Sequence, residues 1–240
     1  MSKREEPFSG YQEYTAHLFA CVDKSLAAYI DRLMRLFANG NGGFKNVIYP
    51  DIEVARDLCE KHLKDFTVSG EVKESSTEEP EISAELLELF GGISQEREEA
   101  GVETDEETLE SLLAYVEHRA SLTKEPLPLY QLCRKLEFSP FSTFCFACAI
   151  LSSTQTNYAS VFQVVNQNGN LSAPSIESAA RVYYGEDFTI TGAYSQMSLA
   201  LEQLQTVLDL QINDAMPFST VISPDKRIID FLFGTHPEKI

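Results

Sequence analysis

Apolar side chains recur every three or four residues from Tyr11 to about Ala38, through Tyr14, Leu18, Val22, Leu26, Tyr29 or Ile30, Leu33 and Phe37. That spacing predicts a long helix with one apolar face. Asn39-Gly-Asn-Gly-Gly43 ends it, because these residues supply left-handed conformations and then a turn. A second helix is expected after Pro50, with Asp51 in its first turn and Ile52, Ala55, Leu58 or Cys59, His62 or Leu63 and Phe66 along one side. The two pair as an N-terminal helical hairpin over residues 1–66, with residues 1–10 frayed. Neither helix has enough apolar surface to stand alone, so both must pack on something else.

The pattern is lost between residues 67 and 125, which read as an acidic linker carrying short helices. Ser83 caps the run AELLELF, and Gly91-Gly92 stops it. Thr104-Asp-Glu-Glu107 has capping-box spacing and opens a helix with Leu109, Leu112, Leu113, Val116 and Ala120 on one face. Lys124-Glu-Pro-Leu-Pro128 closes that helix.

From residue 126 to residue 240 the apolar signal returns and strengthens. Leu129, Leu132, Cys133 and Leu136 give one apolar face to a short helix. Ser139 is the expected N-cap of the next helix and Pro140 its first residue. That helix, from Phe141 to about Leu151, reads FSTFCFACAIL and carries no charge on any side, so it must be buried nearly all round. Leu132, Phe141, Phe144, Cys148 and Leu151 are the expected core of this part. Tyr158, Val161, Phe162 and Val165 mark a further helix, and Pro174 starts another that presents Ile176, Ala180 and Tyr183 and stops at Gly185. Residues 199–212 read as a short helix with a strand-like end, and Phe218 to Ile222 reads as a strand. With turn residues Asn213 to Pro217 between them, they form a candidate β-hairpin. A last helix runs from Pro224 to about Phe233. The expected fold class is mainly α: an N-terminal helical hairpin, additional helices, and a winged-helix-like domain with a small β-hairpin.

Composition narrows the class of partner. The formal charge of the 240-residue chain is −18. Between Glu71 and Glu110 fifteen acidic residues face only Lys73 and Arg97, which leaves little charge for the remainder. Such a block is either a solvated linker or a docking segment for a basic partner. Glu78, Glu79, Glu98, Glu99, Glu106 and Glu107 are its candidate docking residues. Arg181 is the one basic residue between Glu137 and Asp225, so a winged helix here lacks the cations that duplex DNA demands, and nucleic acid is not an expected partner. There is no run of about eighteen apolar residues for a membrane span. The N-terminus lacks the apolar core of a secretory signal, so the chain reads as cytoplasmic.

No catalytic constellation appears. Cys145 and Cys148 have redox or zinc spacing but are flanked by Phe and Ala and lack a second pair of ligands, so buried free thiols are expected. His17, His62, His118 and His236 sit in separate segments; His17 and His62 could face one another across the first hairpin, though core or surface histidines are expected rather than a metal site. There is no Gly-x-Ser-x-Gly elbow and no EF-hand spacing.

The stretches Leu136-Glu-Phe-Ser-Pro-Phe141, Pro174-Ser-Ile176 and Pro217 through Gly234 resemble the region before the motor in a bacterial family of winged-helix-containing AAA+ ATPases, among them ATPases encoded with contractile injection systems. The chain departs from that family at Ser142-Thr143, where a Glu-Arg pair is usual, and at Ser153 to Thr156, where Pro-Glu-Leu-Asp is usual. The resemblance implies a non-catalytic N-terminal region that recognises a substrate or partner protein, or assists assembly of an oligomer. ATP and Mg²⁺ would belong to a downstream motor, because no Gly-x-x-x-x-Gly-Lys-Ser/Thr loop occurs here to hold phosphates. Two other readings stand beside it: a standalone acidic adaptor or scaffold, and an enzyme whose site is not legible from residue types and spacings.

Overall fold

The computed structural model describes residues 6–38, 49–69 and 108–234, with side chains of the second segment described from 51 to 61. Among them are nine α-helices: α1 (Tyr11–Ala38), α2 (Tyr49–Ser69), α3 (Leu109–Leu122), α4 (Pro128–Lys135), α5 (Pro140–Thr154), α6 (Tyr158–Val165), α7 (Ile176–Tyr184), α8 (Ile190–Gln205) and α9 (Lys226–Phe233). Two 3₁₀ turns, Gly185–Asp187 and Pro217–Ser219, complete the regular structure.

Two helices organise the rest. In α1 every residue from Leu18 to Asp23 is buried, so the helix is enclosed on all sides at its middle. It packs against α2, α3, α5, α6 and α7. The uncharged α5 is the second centre: Phe144 through Leu151 are all buried, and the helix packs on α1, α6, α7 and α8. Ser139 caps it as expected, its Oγ accepting the Ser142 amide at 3.1 Å, with Pro140 in the first turn. Burial of three Phe rings and several aliphatic chains here supplies much of the hydrophobic driving force, at roughly 1.5–3 kcal/mol per large side chain.

The expected hairpin is present. Arg56 reaches Asp31 while Cys59 lies beside Asp23, so α1 and α2 run in opposite directions. The hairpin also packs directly on α5, α6 and α7. Leu112, Leu113, Val116 and Ala120 of α3 close another side of α1, and the described helices share one continuous core.

Several local expectations change. Phe8 is 3% exposed and its amide donates to Thr123 Oγ1 at 2.9 Å, so residues 6–10 are held rather than frayed, and residues 1–5 lie outside the described residues. The cap of α3 is Thr108, with the Ser111 amide bonded to its Oγ1; Thr104 and Glu107 lie outside the described residues, as does the AELLELF run. Helix α7 begins two residues after the expected Pro174, with Ser175 as N-cap in a reciprocal box with Ser178. Leu132 is only partly buried, whereas Phe141, Phe144, Cys148 and Leu151 are core.

The β-hairpin is not formed. Helix α8 starts nine residues before the expected position, capped by Thr189, and no strand occurs among the described residues. Residues 220–222 turn instead to the start of α7, through a single antiparallel bridge between Ser175 and Val221. Its two hydrogen bonds run from Ile176 N to Thr220 O at 3.4 Å and from Ile222 N to Pro174 O at 2.8 Å.

Candidate interaction surface

Buried polar groups are the first place to look for chemistry, because burying them uncompensated is expensive. Asp23 is fully buried on α1, and the Tyr158 hydroxyl at the start of α6 donates to its carboxylate. Burial, reinforced by the Asp23 charge, pushes the Tyr158 hydroxyl far above the usual tyrosine range. Burial and then Asp23 also push the thiols of Cys59 and Cys148 up. The Tyr158 hydroxyl and the two thiols are thereby kept protonated, and the arrangement ties α1, α2, α5 and α6 together. It offers no nucleophile or base with access to solvent.

A second node forms around Arg119, 8% exposed on α3. Its Nε donates to the Glu6 carbonyl at 2.7 Å and its Nη2 to Glu13 Oε1 at 2.8 Å, while its Nη1 lies 3.3 Å from both His17 Nε2 and the Tyr115 hydroxyl. The guanidinium carbon sits 4.2 Å from the centre of the Phe8 ring. The 3.0 Å contact of His17 Nδ1 with the Glu13 carbonyl makes that nitrogen the donor, so Nε2 accepts from Arg119 when the ring is neutral. Burial raises the Glu13 carboxyl, but the Ser9 amide and then Arg119 outweigh it and leave Glu13 below the usual carboxylate range. This node clamps the N-terminal residues to α3.

The residues singled out from sequence fall apart as a site. Cys145 and Cys148 are 0% exposed within α5, and all five cysteines are free and buried. His17 belongs to the Arg119 node, His118 stands on α3, the His62 side chain lies outside the described residues, and so does His236. Among the described residues no group of three His, Cys, Asp or Glu side chains could hold a metal ion, and no helix is long and apolar enough to cross a membrane. Glu78, Glu79, Glu98, Glu99, Glu106 and Glu107 lie outside the described residues.

The feature that sequence reasoning missed is on the surface. Met216 is 60% exposed, Tyr194 58% and Ile190 54%, each an apolar side chain left in water. Ile190 and Tyr194 stand one turn apart on α8, and the Tyr194 ring meets Phe218 of the 3₁₀ turn edge-on, with centroids 5.3 Å apart. Val221, 39% exposed, continues the strip past Phe218. Single exposed apolar residues are ordinary, but here two of the side chains, Tyr194 and Phe218, meet across two elements, which makes this the candidate interaction surface. The signal was present in the spacing Ile190–Tyr194, which is off-phase with the buried series Ala193, Met197, Ala200 and Leu204. Comparison with protein-family models, with characterised proteins and with solved structures finds no match to this chain.

Proposed function

We propose that this chain is the non-catalytic N-terminal region of an AAA+ ATPase, which recognises a substrate or partner protein, or assists assembly, beside a motor module not contained in these 240 residues. The observation that carries the reading is the exposure of Ile190, Tyr194 and Met216, with the Tyr194 ring against Phe218, which supports a surface for a protein partner. The three stretches that resemble the ATPase family support it: two of them, at residues 174–176 and 217–234, meet at the Ser175–Val221 bridge. In this reading α5, α6 and α7 are the three helices of a winged helix, and the strip 216–222 takes the place of the wing without forming a ribbon. The chain's own residues do not fit a nucleotide site, since its Gly-rich stretch from Asn39 to Gly43 lacks both the P-loop spacing and the hydroxyl residue. ATP and Mg²⁺ would be bound by the motor.

The intact mass of the protein isolated from its own cells tests the assignment. A species far heavier than 26.9 kDa, carrying a nucleotide-binding module after Ile240, is the expected result. A species of about this mass would remove the motor. It would favour the second reading, an acidic cytoplasmic adaptor or scaffold, which the clustering of negative charge between Glu71 and Glu110 supports.

A further inference from the structure

The strip 216–222 has a property beyond its exposed side chains. In the antiparallel bridge to α7 the Thr220 carbonyl and the Ile222 amide face residues 174–176. Backbone groups of successive residues in an extended segment point to opposite sides, so the N–H and C=O of Val221 point away from α7. Among the described residues no group takes up either of them. An extended segment with an open edge is a template for one further strand. Met216 and Phe218 precede this edge in the chain, and the Phe218 ring meets Tyr194 of α8.

Charge selects the occupant. From Glu137 to Asp225 eight acidic residues stand against Arg181 alone. Arg181 is already committed, at 2.6 Å from Glu177 Oε1 and 5.1 Å from the Phe188 ring centre. Lys226 and Arg227, just beyond the strip, pair with Asp230 at 2.7 Å and Asp225 at 2.6 Å. Asp214 precedes Met216, and Glu186 with Asp187 precedes the first turn of α8; all three are exposed. The chain's own acidic segment would bring fifteen carboxylates to this surface, and a second copy would bring another net −18, so both are electrostatically disfavoured.

We infer that the outer edge of residues 220–222 binds an extended, basic segment of a partner protein, which pairs its backbone with Val221 and seats apolar side chains on Tyr194, Phe218 and Met216. This rests on the partner-recognition reading and specifies the chemistry of the partner. The test uses the full chain, ¹⁵N-labelled, titrated with the synthetic peptides acetyl-KVKVKVK-amide and acetyl-EVEVEVE-amide at low ionic strength. The basic peptide is expected to slow hydrogen exchange of the Val221 amide at least tenfold, and Tyr194→Ser, at an exposed position, to weaken its binding at least fivefold with an unchanged melting temperature. An unchanged Val221 amide at millimolar peptide, or equal protection by the acidic peptide, would overturn the inference. A photo-crosslinking residue at position 216, used in cells, separates the two levels. A crosslinked partner whose yield is unaffected by Tyr194→Ser sinks the edge-binding inference alone, whereas absence of any crosslinked partner counts against the recognition reading as well.

Discussion

Asp23 shows what a single residue contributes and why it escaped the sequence. The helical period of α1 marks one face, through Leu18, Val22 and Leu26, and assigns Asp23 to the solvent side. That side is covered by other helices, and Tyr158, 135 positions later, supplies the hydroxyl that the carboxylate needs. Tyr158→Phe removes a donor from a buried carboxylate and should cost about 1–3 kcal/mol, read as a lower urea midpoint with unchanged slope. The cysteines were more legible, because an odd number set among Phe and Ala already reads as buried thiols. Burial pushes Cys133 up to about 12, and it pushes Cys145 and Cys148 up as well. At pH 8 only about one Cys133 in ten thousand would be thiolate. The native protein should therefore leave Ellman's reagent essentially unreacted, and guanidinium should release all five thiols. Rapid labelling of one or more cysteines without denaturant would contradict this packing.

At the scale of elements, boundaries set by local chemistry were readable and those set by tertiary contact were not. The ends of α1 and the Ser139-Pro140 start of α5 came from spacing and capping residues alone. The hairpin failed for a different reason. Leu208, Leu210 and Ile212 alternate like a strand, but a two-stranded ribbon gains little by itself. Leu208 and Ile222 are instead used singly, as plugs for the core. The turn after α4 hides another device. Glu137 has φ of 54° and follows a helix whose last carbonyls are closed by Glu137 N to Arg134 O and Phe138 N to Cys133 O, an arrangement that favours glycine. Glu137 is exposed, so Glu137→Gly should raise stability by about 0.5–1 kcal/mol, the relief of left-handed strain exceeding the added entropy of the unfolded chain. A lower melting temperature for that variant would show that its side chain contributes something the geometry does not reveal. Gln167, with φ of 53°, repeats the same closure after α6.

For the molecule as a whole, the division of the sequence into an N-terminal hairpin, a linker and a C-terminal domain reflects composition, and composition does not report who packs on whom. The described helices share one core, with α1 lying against α5, α6 and α7. A fragment of residues 126–240 should therefore lack a cooperative thermal transition and should bind hydrophobic dyes, since removing α1 bares one side of α5. A sharp melt with dispersed amide resonances from that fragment would mean that the C-terminal helices suffice. The candidate surface was less legible than the fold: the acidic block drew the eye to residues 71–110, while the exposed apolar group arises only when α8 and the 3₁₀ turn meet in space.

The enclosure of α1 also bears on how the protein is made. Residues 11–38 leave the ribosome before α6 and α7, which cover part of the helix and end at Val165 and Tyr184. At typical elongation rates, the interval between completing Ala38 and completing Tyr184 is roughly 7 to 30 s. Until α5 is complete, a helix apolar on more than one side, with Leu18 to Val22 exposed as a continuous band, has no final partner beyond α2 and α3. Nascent-chain chaperones should engage the first 40 or so residues, and slowing translation after α1 should lower the soluble yield more than slowing it after α7.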